Sequence, residues 1–464
     1  MTARARAVLS RLPSASRRRL LKFAAASGLL AAVERNVALA QTASDYRALV
    51  CLFLQGGNDG ENTLLRQDGA GYQTYAAIRT AASGINIAQG QLLPVQPARG
   101  GPPYGFHPAC APLQSLFNQK KLAVVANVGM LVQPSTKTGL EQQGAPRPAN
   151  LFSHSDQELS TQSAVASGLE RSGWGGRVAD RLDAANPGTL FPPLVSVMGL
   201  RTFVNGRTSV PLTVPSNPYF QLGSSGEGKY QYDVLRDAAL REMLAQQQTN
   251  LYDVAAQLYA QEGMSASSVV APILQNKNSV VAPFFASIDT DVSRQLKTIA
   301  MLIEGRAQTQ MRRQLFYAQH WGYDTHGSQL TIHVKLLGEL TQALDAFQKS
   351  IDALGLGRDV TLFTLSEFGR ALKPASNNGT DHGWGNYAFV LGGAVRGGDF
   401  YGTVPTMALN GPDDLGNAGR WIPTTSVEQY GATLARWFGI PDGDLPYVFP
   451  NIGAFANTNL GFMS

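Results

Sequence analysis

The sequence predicts an α/β fold, with a mostly parallel central sheet, helices on both faces and an added helical and loop region. Three observations lead there. Residues 47–54 (RALVCLFL) and 360–365 (VTLFTL) are short, largely apolar and partly β-branched, the pattern of strands buried on both faces. Each feeds a polar, glycine-bearing loop, QGGNDGENT after the first and SEFGR after the second, and in open α/β sheets ligands collect outside the carboxyl ends of strands. Amphipathic segments such as residues 330–354 lie between the apolar runs, as the crossover helices of a parallel sheet must.

With 464 residues, 44% of them apolar and 15% charged, the chain has material for a large core, and its composition does not indicate intrinsic disorder. The formal charge of +5 invites a nucleic-acid reading, but residues 1–40 hold eight Lys/Arg against one Glu, leaving the body at −2. The electrostatic footprint of a nucleic-acid binder is therefore missing.

The basic leader reads Arg17-Arg18-Arg19-Leu20-Leu21-Lys22, then a weakly apolar stretch over 23–33, then Ala38-Leu39-Ala40 before Gln41. It resembles a twin-arginine export signal, with cleavage expected after Ala40. The apolar stretch is too short to span a bilayer. An uncleaved signal anchor is the alternative. The resemblance implies the twin-arginine translocation machinery as a partner and a periplasmic or secreted location.

Residues 41–464 read as one α/β domain with insertions at about 66–110 and 194–310. Cys51 lies inside the first apolar run and Cys110 follows the first insertion. One disulfide and two free buried thiols are both open. Residues 113–121 suggest a helix, 122–128 (LAVVANV) a second buried strand, and 174–182 an amphipathic run. Short strands follow over 194–217, and 230–310 is mostly helical, forming outer-layer helices or a cap. Residues 315–318, 360–365 and 389–394 read as strands, and 427–438 as a late amphipathic helix.

The chemistry-bearing residues cluster at the ends of these strands. The first loop offers Asp59, Asn62 and Thr63, whose oxygens suit metal ligation, substrate contact or nucleophilic attack; a plain Asp-Gly turn is the alternative. NLFSHSDQ puts Ser153 and His154 where a helix begins, so Ser153 is either a nucleophile beside the helix dipole or an ordinary N-cap. GYDTHG holds Asp324 and His326 two residues apart, pointing the same way in extended backbone. LSEFGR supplies Glu367 and Arg370, and GTDHGWG supplies Asp381 and His382. An ion pair between Glu367 and Arg370 is the bland reading of that strand exit.

Taken together, GGNDGENT, NLFSHSDQ, SGWGGRVADRL, GYDTHG, LSEFGR, GTDHGWG, FVLGGAVRGG and FPNIGAF resemble the domain-of-unknown-function family 1501 over essentially the whole mature chain. That family resembles a branch of the alkaline phosphatase and sulfatase superfamily. The likeness implies an alkaline phosphatase-like sandwich and metal-assisted hydrolysis of phosphate or sulfate esters. It implies Asp59, Asp324, His326, Glu367, Asp381 and His382 as metal ligands, Ser153 with His154, or Thr63, as the catalytic group, and Asn62 and Arg370 as substrate contacts. Phe368 stands where the superfamily carries a histidine, and Asp324 and His326 are unusually close. These departures leave room for one divalent ion (Zn, Mn, Ca or Mg), or for none. A non-catalytic binding or assembly protein on the same scaffold is the competing class.

Overall fold

The computed structural model describes residues 46–167, 170–182, 185–186, 191–216, 231–246 and 250–464. The expected leader, with Arg17, Arg18 and the cleavage site after Ala40, lies outside the described residues.

Nine strands of the described residues form one sheet. In chain order they are β1 (Arg47–Gln55), β2 (Leu122–Gly129), β3 (Leu194–Ser196), β4 (Leu212–Thr213), β5 (Arg313–Trp321), β6 (Val360–Leu365), β7 (Asn386–Leu391), β8 (Asp399–Tyr401) and β9 (Thr425–Ser426). Across the sheet the order is β8-β2-β7-β6-β1-β5-β3-β4, with β9 beside β2. Every pairing is parallel except those of β7, which runs against both β2 and β6. β1 is central and pairs along its whole length with β5, from Arg47 opposite Arg313 to Gln55 opposite Trp321. Its other edge pairs with β6. The loops leaving β1, β5 and β6 therefore emerge side by side.

The helices are α1 (Ala111–Asn118), α2 (His154–Ser163), α3 (Trp174–Arg181), α4 (Leu251–Leu274), α5 (Asp291–Glu304), α6 (Gln329–Ala353) and α7 (Val427–Phe438), with a further helix at Gln231–Ala245 and shorter turns between them. Successive residues of a strand point to opposite faces, and β1 divides accordingly. Ala48, Val50, Leu52 and Leu54 join a core with residues of α1, α5 and α6. Leu49, Cys51 and Phe53 join a second core with residues of α3 and α7. The result is a sheet covered by helices on both faces, as its continuous apolar strands require. Cys110 lies in the first core and Cys51 in the second. Both are free, because the sheet itself separates them, so the disulfide alternative is not formed.

Some boundaries differ from the sequence reading. The fifth strand runs over nine residues rather than 315–318. β7 starts at Asn386 and ends at Leu391, because Gly392 at φ 152° breaks the extended run that apolar composition prolongs to 394. The insertion expected at about 66–110 has structure of its own. It holds a helix at Gly69–Ile78 and contributes Leu93–Val95 and Tyr104–Phe106 to a three-stranded sheet with Leu64–Arg66. Strands of three residues are too short to register as a period. Among the described residues, no helix is long and apolar enough to cross a membrane.

Candidate metal centre

Four side chains from three segments of the chain meet beyond the carboxyl ends of β1, β5 and β6. His154 opens α2. Asp324 and His326 lie in the loop between β5 and α6, and His382 ends the strand Thr380–His382, which pairs with Arg370–Pro374. Nε2 of His382 lies 3.0 Å from Nε2 of His154 and 2.9 Å from Nε2 of His326. Oδ1 of Asp324 lies 3.2 Å from Nε2 of His154, 3.0 Å from that of His326 and 3.3 Å from that of His382. Separations of about 3 Å are those of donor atoms sharing one ion through bonds of about 2.0–2.2 Å, and the candidate ligands form two groups with His382 in common, one with His154 and Asp324 and one with His326 and Asp381.

The hydrogen bonds behind these rings decide what faces inward. Nδ1 of His154 sits 2.9 Å from Oε1 of buried Glu367, which also accepts the Gly56 N–H at 2.8 Å. Nδ1 of His382 sits 2.7 Å from the Phe152 carbonyl oxygen. Carboxylate and carbonyl only accept, so both Nδ1 atoms carry the proton in the neutral rings. The two Nε2 lone pairs then face each other at 3.0 Å. That arrangement is repulsive unless a cation, a proton or a metal ion, lies between them. The hydrogen bond to Glu367 raises the His154 pKa against burial, while burial lowers that of His382.

Other side chains hold the donors in place. Arg370, buried, donates from Nη1 to Oδ1 of Asp324 at 2.7 Å and to the Gly56 carbonyl, and its remaining nitrogens bond Thr380. Burial pushes the Asp324 carboxyl up, but Arg370 and the histidines outweigh it and hold the group below its usual range. The Phe368 ring lies 4.8 Å from both His154 and His382, centroid to centroid, and so braces two imidazoles. Arg420 ties the outer edge, donating to the His382 carbonyl and to Asp381.

The expected site residues do not all converge. Asp324, His326 and His382 do, and His154, expected as a catalytic partner of Ser153, supplies a donor atom instead. Glu367 stands behind His154 as its orienting carboxylate and does not pair with Arg370. Asp381 contributes a carboxylate oxygen within 4.8 Å of the His326 and His382 donors, but it already accepts from the His382 N–H and Arg420. Asp59 is elsewhere. It is buried in an ion pair with Arg79 at 2.7 Å, caps Glu61 and accepts from Gln329. Burial raises the Asp59 pKa, yet Arg79 outweighs it and keeps the carboxylate charged. Asn62 accepts from Arg79 and Tyr75 and donates to the Ile85 carbonyl, so it braces the first loop. Thr63, fully buried, donates to the Asp59 carbonyl. Ser153 precedes α2 without capping it through its side chain, and its hydroxyl donates to Asp156 at 2.6 Å. Among the described residues, no Ser or Thr hydroxyl hydrogen-bonds to the four donors.

The family model described as protein of unknown function (DUF1501) matches residues 46–440. No curated protein matches the chain. Among solved structures, the crystal structure of the PsFucS1 sulfatase from Pseudoalteromonas sp. aligns over 93% of this chain and 73% of its own, at 9% identity and a TM-score of 0.32. A likeness that weak carries no argument.

Proposed function

Because the chain belongs to the DUF1501 family, whose description assigns no activity, we propose a function from the site itself: metal-dependent hydrolysis of phosphate or sulfate esters by an exported protein. The observation that carries it is the pair of inward-facing Nε2 lone pairs beside the Asp324 carboxylate. His154, His326, His382 and Asp324 would hold one divalent ion. Three imidazoles with one carboxylate suit zinc or manganese better than calcium or magnesium, which favour all-oxygen sites. Bound there, such an ion would polarise an ester oxygen and neutralise anionic charge.

The protein's own groups have separate tasks. Glu367 fixes the His154 tautomer, and Arg370 fixes Asp324, which is how outer groups tune a ligand set. Asp324, Glu367 and Asp381 against Arg370 and Arg420 leave one negative charge while the histidines are neutral. A divalent ion reverses that sign and makes the cleft attractive to an anionic ester. The sheet with polar loops converging at its carboxyl end supports an alkaline phosphatase-like reading of the fold. Export by the twin-arginine route, with a periplasmic or secreted product, belongs to the same proposal and rests on the leader.

With Ser153 bonded to Asp156 and Thr63 buried, neither of these two hydroxyls supports a covalent mechanism. The same observation favours the second reading, a metal-binding protein without turnover. Assay of 4-nitrophenyl phosphate and 4-nitrophenyl sulfate separates them. Ester hydrolysis that disappears with chelator and in His382→Ala supports the hydrolase. Metal retention without turnover supports the binding protein.

A further inference from the structure

The stripe of α2 that begins at the metal centre continues away from it. His154, Glu158 and Gln162 are spaced four apart and share one helix face. Gln162 donates to Glu158 and to the Tyr317 hydroxyl, and accepts from the Phe203 N–H. This face of α2 therefore lies against β5 at Tyr317 and against the turn at Phe203 that follows β3. There Trp321 ends β5, three residues before Asp324, and the chain leaving β3 presents Leu200 and Arg201. Trp321 is 42% exposed and Leu200 68% exposed.

Arg201 is held at two points. Its Nε donates to the Met198 carbonyl at 3.2 Å, and its guanidinium stacks 5.3 Å from the Trp321 ring centroid. Among the described residues its two terminal nitrogens have no hydrogen-bond partner, and it forms no ion pair. A guanidinium fixed by its stem, with its fork left open, is preorganised for bidentate capture of an oxyanion. Arg201 is placed near the centre by Trp321, whose ring it stacks on and which lies three residues before Asp324.

We propose that Arg201 on Trp321 forms a second subsite, which binds an anionic group carried by the alcohol portion of the substrate. The favoured substrates are then esters whose alcohol bears its own carboxylate, sulfate or phosphate, with its carbon skeleton lying against Trp321 and Leu200. The assignment rests on the hydrolase reading of the centre for its catalytic consequence, but not for the binding itself.

The test compares two aryl esters that differ at one end of a short chain, one ending in a carboxylate and the other in a carboxamide. Metal-loaded wild type is expected to prefer the carboxylate on the order of tenfold in kcat/KM, mostly through KM. Arg201→Gln should abolish the preference and leave turnover of the carboxamide unchanged, and Arg201→Lys should retain part of it. Calorimetric binding of the corresponding carboxylate-ended phenol, which has no ester to cleave, gives the same comparison without turnover. If neither ester is hydrolysed, the hydrolase reading falls, while the binding difference between wild type and Arg201→Gln still judges the subsite. Equal handling of the carboxylate and carboxamide compounds by wild type, or a preference that survives Arg201→Gln, overturns it.

Discussion

His154 takes its orientation from one buried carboxylate. Glu367→Gln keeps the size of that group but offers an amide in place of the charge, so Nδ1 loses its strong acceptor. Metal affinity should fall roughly 10–100-fold, the usual effect of removing an orienting partner, as read by competition with a chromophoric chelator. Undiminished affinity would reject the orienting role. A second carboxyl, Glu61, bears on stability. It is buried; Oε1 accepts from Trp421 at 2.9 Å and Oε2 has no partner. Burial, opposed by Arg79, raises its pKa from 4.5 to about 7. The neutral form is the one the fold favours, so its contribution is complete below about pH 4.5 and is lost as pH rises through about 7. Glu61→Gln should therefore change little near pH 4.5 and stabilise above pH 7 by up to roughly 3 kcal/mol. Urea melts at the two pH values check this, and an equal effect at both would contradict it. At this scale the sequence was partly legible. Carboxylates and imidazoles at strand ends pointed to Asp324, His326 and His382, because ligands collect there. Asp59 carries the same local signal, and only Arg79, in a segment without clear periodicity, takes it away.

The elements around the centre are shaped by two tight passages of backbone. The turn before α2 has positive φ at Asn150 (46°) and Phe152 (77°). It turns the Phe152 carbonyl toward His382 while starting the helix at His154. Strained backbone of this kind persists where surrounding structure holds it. The second passage is Gly379, where an added Cβ would overlap the backbone of His326 and Gly327. Gly379→Ala should push the loop carrying His326 away from the strand carrying His382. The expected result is weakened metal binding with unchanged far-ultraviolet circular dichroism, since both cores lie elsewhere. Wild-type affinity in that variant would show that the two segments move independently. Long elements were readable for a physical reason. α7 spans Val427–Phe438 as its period predicts, and β6 matches its apolar run. Strands of two or three residues, such as β4 and the small sheet after residue 63, are held by partners distant in sequence and leave no local pattern.

At the scale of the whole molecule, the central sheet keeps two cores apart and one cysteine in each. Both thiols should resist a thiol reagent in the native protein and react after unfolding, with a melting temperature unaffected by reductant. A reductant-sensitive melt would place a disulfide where the fold has none. The layered architecture was legible because near-continuous apolar strands must be covered on both faces. The centre was less legible, because four donors from three regions of the chain meet only once the order β6-β1-β5 sets their loops side by side. The central claim is that this meeting of donors holds an ion. Its most direct test is elemental analysis of the full chain, purified without chelator, beside His382→Ala. Wild type should carry one zinc or manganese ion per chain and the variant almost none, with the two melting curves coinciding once chelator is added. A wild type that carries no divalent ion, and takes up none on dialysis against zinc or manganese, would contradict the account.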